Sequence, residues 1–184
     1  MANFSIIVPL YNESNNINKL VSEIYDSLKE YKSFELIFVN DGSEDRTRDI
    51  LEKIKTNFPI IILDNKSNLG QSFSIWTGIK NSSHKTVVTI DGDGQNNPKD
   101  IPKLLEIYFS NKNFSLIGGI RKKRKDNFLK VASSKIANKI RSFILDDDCS
   151  DTGCSLKVFE RDIFLSFPFF DGLHRFLPAL FKGY

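Results

Sequence analysis

Short apolar runs alternate along the whole chain with amphipathic stretches, and this rhythm restricts the fold more than any other feature. Apolar runs at 4–8, 34–39, 60–63, 86–90 and 114–120, with another near 155–159, have the length and β-branched content of strands. The run at 86–90 is nearly all β-branched, as suits a central strand covered on both faces. Between them lie helical patterns. Ile17, Leu20, Val21, Ile24 and Leu28 form one stripe, and Thr47, Ile50, Leu51 and Ile54 form another. A third helix is predicted over 71–80, burying Phe73 and Trp76. A fourth carries Ile101, Leu104, Leu105 and Tyr108, and a longer one covers about 127–145. Ser14 or Asn15 is the expected cap of the first helix, Ser43 of the second, and Asn97 followed by Pro98 of the fourth. Strands alternating with helices of this length predict an α/β fold with a mostly parallel central sheet and helices on both faces. At 184 residues the chain is one domain, or one domain cut short.

In such a sheet, ligands bind beyond the carboxyl ends of the strands, near the point where strand order reverses. Three strands end in polar sequence: Pro9-Leu10-Tyr11-Asn12-Glu13, Asn40-Asp41-Gly42-Ser43 and Asp91-Gly92-Asp93-Gly94-Gln95. The topology therefore brings Glu13, Asp41, Asp91 and Asp93 toward one edge. Four converging carboxylates repel one another unless a cation or hydrogen-bond donors intervene. A divalent cation suits Asp91 and Asp93, because Mg²⁺ is typically held by one or two carboxylates together with substrate phosphates. Asp41 and Glu13 are better placed to accept hydrogen bonds from a base or ribose. Each piece alone has a plainer reading. Asp91–Gly94 is equally a loop, Asp41-Gly42-Ser43 a turn with a helix cap, and Pro9–Glu13 a strand stop. A Gly-x-Gly-x-x-Gly run after the first strand and a P-loop lysine are both missing, which weakens dinucleotide and ATPase readings.

Charge enters through its distribution. The net charge is only +3, yet Arg121, Lys122, Lys123, Arg124, Lys125, Lys130, Lys135, Lys139 and Arg141 crowd one segment against a single acid, Asp126. Such a patch suits phosphate on a ligand, a nucleic acid or a membrane, and its plainer reading is a solvated helix face. The patch is short and lacks aromatic interleaving, so a nucleic-acid partner is the least favoured. Cys149 and Cys154 read as reduced thiols of a cytosolic protein. No 18-residue apolar run is present, and the first residues lack the pattern of a signal peptide.

Taken together these segments resemble the family-2 glycosyltransferases. Within them they are most similar to the dolichyl- or undecaprenyl-phosphate glycosyltransferases. The carriers are Val8–Glu13, Val39–Ser43, Asn68-Leu69-Gly70-Gln71, Ile90–Pro98, Gly119-Ile120-Arg121, Asp151–Lys157 and Gly172–Leu180, in family order along nearly the whole chain. The resemblance implies a nucleotide-diphospho-sugar transferase (GT-A, Rossmann-like) fold and inverting sugar transfer to a polyprenyl phosphate, aided by Mg²⁺ or Mn²⁺. It implies that Pro9, Tyr11, Glu13, Asp41 and Asp91 hold the UDP- or GDP-sugar donor. Asp91, Asp93 and Gln95 would surround the metal. Arg121, Arg124 and Lys130, with His174 and Arg175, would meet the acceptor phosphate. Asp93 and Arg121 are the expected catalytic residues. Asp151 joins them as the candidate base if the acceptor is a hydroxyl, its plainer reading being a cap. His174 also reads as a structural, hydrogen-bonded histidine. Relatives usually continue past Gly183-Tyr184, so a longer protein working at the cytoplasmic face of a membrane is expected. The rival readings are transfer to a hydroxyl of a cell-envelope glycan and a non-catalytic phosphate- or lipid-docking module.

Overall fold

A computed structural model describes residues 3–111, 114–120 and 151–184. The chain builds a six-stranded sheet in the order β3-β2-β1-β4-β6-β5. Its strands are β1 (Phe4–Leu10), β2 (Phe34–Asn40), β3 (Ile60–Asp64), β4 (Thr86–Thr89), β5 (Leu116–Gly118) and β6 (Lys157–Glu160). Strands β1 to β4 pair in parallel, while β6 runs antiparallel to both β4 and β5. The chain steps from β1 out to β2 and β3, then returns to place β4 on the other side of β1. That reversal opens a crevice at the carboxyl ends of β1 and β4.

The helices are α1 (Ile17–Ser27), α2 (Thr47–Lys55), α3 (Gln71–Lys80), α4 (Ile101–Ser110), α5 (Arg161–Ser166) and α6 (Leu173–Lys182). Alternation along the strands divides the core in two. Phe4, Ile6, Val8 and Phe38 pack with Ile24, Leu51 and Leu105 of α1, α2 and α4. Ile7, Ile37 and Val39 pack on the other face with Ile79, Phe164 and Leu177 of α3, α5 and α6. Burying each such side chain contributes roughly 1.5–3 kcal/mol, so both helical layers are held by the pleat of one sheet. The approach of α3 is close, because a β-carbon added at Gly78 would run into Ile7 and Val39.

Several expected details differ. Asn16, not Ser14 or Asn15, stands at the N-cap of α1 and makes no side-chain cap bond. Ser43 does not cap α2. Its hydroxyl accepts from the Asn12 amide at 3.0 Å, while Asp45 Oδ1 accepts from Thr47 N at 2.9 Å. The loop uses Ser43 to join two strand ends, and the start of α2 passes to a residue two positions further on. Asn97 does cap, accepting from Lys99 N at the short 3₁₀ turn Pro98–Asp100 that leads into α4. The expected helix near 127–145 lies outside the described residues, as does Cys149.

Candidate functional site

The crevice between β1 and β4 holds a cavity of about 300 Å³. Pro9, Tyr11, Glu13, Asp41, Asp91 and Asp93 all line it. Three strand ends distant in sequence therefore meet at one place.

The first two strand ends are laced together. Asn12 takes a left-handed conformation, φ 57°, which asparagine tolerates better than most residues. Its Oδ1 then accepts from the amides of Glu44 (2.8 Å) and Asp45 (3.3 Å). Glu13 N donates to Thr47 Oγ1, and Ser14 N to Asp45 Oδ2. Slight desolvation of the Asp45 carboxyl is outweighed by hydrogen bonds from Thr47 and Ser14, which hold it down at about 2. Glu13 Oε2 accepts from Asn16 Nδ2 at 2.6 Å, which orients it at the cavity wall.

Asp41 is 3% exposed and, besides lining the cavity, has structural partners that its sequence position did not reveal. Its carboxylate takes Asn65 Nδ2 at 2.7 Å, Leu69 N at 3.0 Å and Gly70 N at 2.8 Å. A carboxylate offers about four acceptor positions, and three of these are spent on the 65–70 loop. Asp41 therefore builds the wall to which Asn68, Gln71 and Ser74 contribute.

The acidic turn sits on the other side. Gly92 is buried, and a β-carbon there would strike Leu10 and crowd the Pro9 carbonyl, so the turn lies flat against the end of β1. Asp91 Oδ1 accepts from Gln71 Nε2 at 2.6 Å, and the Asp91 amide donates to Ser155 Oγ at 3.0 Å. Asp93 Oδ1 accepts from Gln95 N at 2.9 Å. Desolvation, reinforced by the charge of Asp93, pushes the Asp91 carboxyl up to about 6 against hydrogen bonds from Ser155 and Gln71 and the charge of Lys157. Two neighbouring carboxylates under mutual repulsion in a crevice suit a divalent cation with oxygen ligands. Among the described residues, no group of three or more His, Cys, Asp or Glu is gathered as an all-protein metal cage. The fit is instead to a cation shared between Asp91, Asp93 and a bound diphosphate. Gln95 is exposed, does not line the cavity, and reaches Asp93 through its backbone.

On the acceptor side, Arg121, Arg124 and Lys130 lie outside the described residues. Asp151 is buried at the head of a turn, its carbonyl accepting from Cys154 N, and it does not line the cavity. Arg175 is exposed on α6. His174 Nδ1 lies 2.6 Å from Ser72 Oγ, which also accepts from Gly172 N at 3.0 Å. Ser72 Oγ keeps a second lone pair beside the one taken by Gly172 N, so the hydroxyl and Nδ1 can share a hydrogen bond in either neutral tautomer. Burial, then the charges of Arg175 and Lys157, push the imidazole down to about 4 against the opposing charge of Asp171. The folded state thus binds this proton more weakly than an unfolded histidine near 6.5. Stability is full above pH 6.5 and declines as pH falls toward 4. Thermal unfolding should show the wild type losing, over that window, the advantage it holds over His174→Gln at pH 7.5. An advantage that is constant with pH would disprove the neutral assignment.

Residues with no role assigned from sequence also prove structural to the site. Gln71 and Ser155 contact Asp91, and Lys157, 4% exposed, donates to the carbonyls of Cys154 and Thr152 behind it. All lie in segments that carried the resemblance, Asn68–Gln71 and Asp151–Lys157, and a polar residue opening a helix or interrupting a buried strand was the available signal.

With this geometry in view, the family model described as "Glycosyl transferase family 2" matches residues 5–166. The chain belongs to glycosyl transferase family 2. Among curated family relatives, it is 33% identical over 183 residues to the dodecaprenyl-phosphate galacturonate synthase of Rhizobium johnstonii, covering 97% of this chain and 54% of the relative. It is 31% identical over 163 residues to the undecaprenyl-phosphate 4-deoxy-4-formamido-L-arabinose transferase of Proteus mirabilis, covering 86% of this chain and 49% of the relative. The chain thus spans about half the length of these relatives. Among solved structures, it resembles the mannosyltransferase PcManGT from Pyrobaculum calidifontis in complex with GDP-Man and Mn²⁺. There the TM-score is 0.65 at 18% identity, over 90% of this chain and 47% of that one. It also resembles the glucosyl-3-phosphoglycerate synthase of Mycobacterium tuberculosis in complex with Mn²⁺, UDP and glucosyl-3-phosphoglycerate. The TM-score is 0.71 at 18% identity, over 91% of this chain and 60% of that one. These likenesses establish the GT-A fold expected from the sequence. No helix among the described residues is long and apolar enough to cross a membrane.

Proposed function

We propose that this chain carries the donor-binding machinery of a metal-dependent, inverting glycosyltransferase whose acceptor is a polyprenyl phosphate. The observation that carries the reading is the meeting of Asp91 and Asp93 with Pro9, Tyr11, Glu13 and Asp41 around one cavity at the β1/β4 crevice. The names of the Rhizobium and Proteus relatives support the lipid phosphate acceptor. The ligands named for the two structural neighbours, GDP-Man with Mn²⁺ in one and UDP with Mn²⁺ in the other, support a nucleotide-sugar donor with a divalent cation, which we take to be a UDP- or GDP-sugar with Mn²⁺ or Mg²⁺.

Transfer breaks the bond between the anomeric carbon and the diphosphate, leaving negative charge on the leaving group. A divalent cation between Asp91 and Asp93 would supply Lewis-acid stabilisation of that charge. The chain's own residues do the positioning. Asp41 fixes the 65–70 wall, Asn12 and Asp45 fix the loop that presents Tyr11 and Glu13, and Gln71 and Ser155 hold Asp91. A lipid monophosphate has a second pKa near about 6 and is already ionised at neutral pH, so cations that place it substitute for a general base. Arg121, Arg124, Lys130 and Arg175 are the proposed cations at the acceptor phosphate, and His174, neutral at that pH, is proposed there as a hydrogen-bonding neighbour rather than a charge. Asp151 is the proposed base only for a hydroxyl acceptor. A polyprenyl carrier would hold the acceptor phosphate at a membrane surface, and the cytoplasmic surface is the proposed one.

Calorimetric titration with a panel of UDP- and GDP-sugars in the presence of Mn²⁺ tests the donor half. One nucleotide class should bind, and EDTA should abolish the binding. Undiminished binding in EDTA would sink the metal role. Radiolabelled transfer to polyprenyl phosphate rather than to an oligosaccharide, measured on the full-length protein, tests the acceptor half.

A further inference from the structure

The acidic turn is gripped by a residue from across the crevice. Gln71 opens α3, and its Nε2 donates to Asp91 Oδ1 at 2.6 Å over a separation of 20 residues. The backbone that carries it is fixed on both sides. Just before it, the amides of Leu69 and Gly70 are held by the buried Asp41 carboxylate. Just after it, the buried Ser72 hydroxyl is tied to Gly172 N and His174 Nδ1. Gln71 therefore reaches Asp91 from an anchored platform.

Asp91 has a second support. Ser155 Oγ accepts from the Asp91 amide and from Asn96 Nδ2, at 3.0 and 2.7 Å. Both lone pairs of that hydroxyl are thus engaged. Asp91 is held by its carboxylate from α3 and by its backbone from the segment just before β6.

The chemistry of the donor matters as much as its place. An amide fixes a carboxylate without cancelling its charge. A lysine or arginine at this position would also donate, but would compete electrostatically with a divalent cation. A neutral donor suits a carboxylate that has to remain negative and stay in one orientation.

We propose that Gln71 is a positioning residue for the metal site, holding the Asp91 carboxylate in the single orientation that a cation and diphosphate require. The inference rests on the reading of Asp91 and Asp93 as cation ligands. A merely structural role, joining α3 to the end of β4, would show in the metal-free fold instead.

Calorimetry with MnCl₂, in the presence of whichever of UDP or GDP the wild type binds, separates the two. Gln71→Met keeps the side-chain length and removes the donor, and Gln71→Ala removes both. Each should weaken Mn²⁺ binding about 10- to 100-fold, the usual cost of losing an outer partner of a metal ligand. The unfolding midpoint without metal should stay within about 2 °C of wild type, as for a substitution outside the core. In an Asp91→Asn background Gln71→Met should cost nothing further, because the two act as one unit. Asp93 remains in that background, so binding stays measurable at raised metal concentration. Unchanged Mn²⁺ affinity in Gln71→Met and Gln71→Ala would overturn the proposal. So would an equal loss in both backgrounds, or a loss that tracks a fall in the midpoint. Absence of Mn²⁺-dependent binding in the wild type would instead overturn the reading of the acidic turn, and this inference with it.

Discussion

Asp93→Ala should lower Mn²⁺-dependent binding of the nucleotide-sugar on the order of 10²-fold, while the metal-free protein melts as before. Asp93 lies on a turn at the carboxyl end of β4, partly exposed, and its side chain accepts from the amide of Gln95 two residues on. Losing that bond costs little, because the turn is fixed elsewhere, by Gly92 against Leu10 and by the Asp91 amide on Ser155. Losing the charge costs the site half of its anionic pair. A second readout runs the other way. The charge of Asp93 helps to push the Asp91 carboxyl up to about 6, so removing it should let Asp91 titrate lower, which carboxyl NMR can follow. The variant would then hold a more readily ionised Asp91 and still bind the cation worse. Wild-type metal affinity in Asp93→Ala would show that the acidic turn is only a loop.

Gly42→Ala should lower the melting temperature by roughly 5–10 °C and weaken nucleotide binding at least about tenfold. Gly42 has φ +65°, where a β-carbon is strained, and that carbon would lie 2.5 Å from the Ser67 carbonyl carbon and 2.7 Å from Asn68 N. Both are backbone atoms of the wall that Asp41 pulls inward, so no side-chain rotation relieves the clash. Overpacking plus left-handed strain costs about 2–3 kcal/mol, and each kcal/mol lowers the midpoint by about 2–4 °C in a chain of this size. Gly94→Ala is the internal control. Its φ is +71°, yet nothing lies within 4 Å of the added carbon, so only conformational strain of about 1 kcal/mol remains. Equal melting temperatures for the two variants would refute the steric account.

Much of this architecture was legible before any coordinates, because strand and helix periods differ and both are strong here. The meeting of Glu13, Asp41, Asp91 and Asp93 followed from topology, since parallel strands deliver their carboxyl ends to one edge. The misses have local causes. Periodicity carries no direction, so the antiparallel sense of β6 was invisible in its sequence. Helix α6 was not predicted, because Pro178 sits in its interior and removes an amide donor. Packing of Leu173, Leu177 and Phe181 into the core shared with Ile7, Ile79 and Phe164 outweighs that loss. Caps at Ser14 and Ser43 were reasonable by residue type, but Ser43 was already committed to Asn12 across the crevice. The wall-building role of Asp41 was hidden for the same reason. A carboxylate shows its charge in a sequence, while the three amides that claim it come from residues 24 to 29 positions away.

The reversed strand brings two distant stretches of the chain side by side. Gly118 pairs with Lys157, and Gly119 N donates to Leu156 O at 2.9 Å. The described residues on either side of 121–150 therefore meet in the sheet, Gly118 and Gly119 against Lys157 and Leu156. By loop-closure entropy alone, changing the length of chain between two such paired ends costs free energy only logarithmically, so an insertion or deletion there need not disturb the register of β1, β2 and β4.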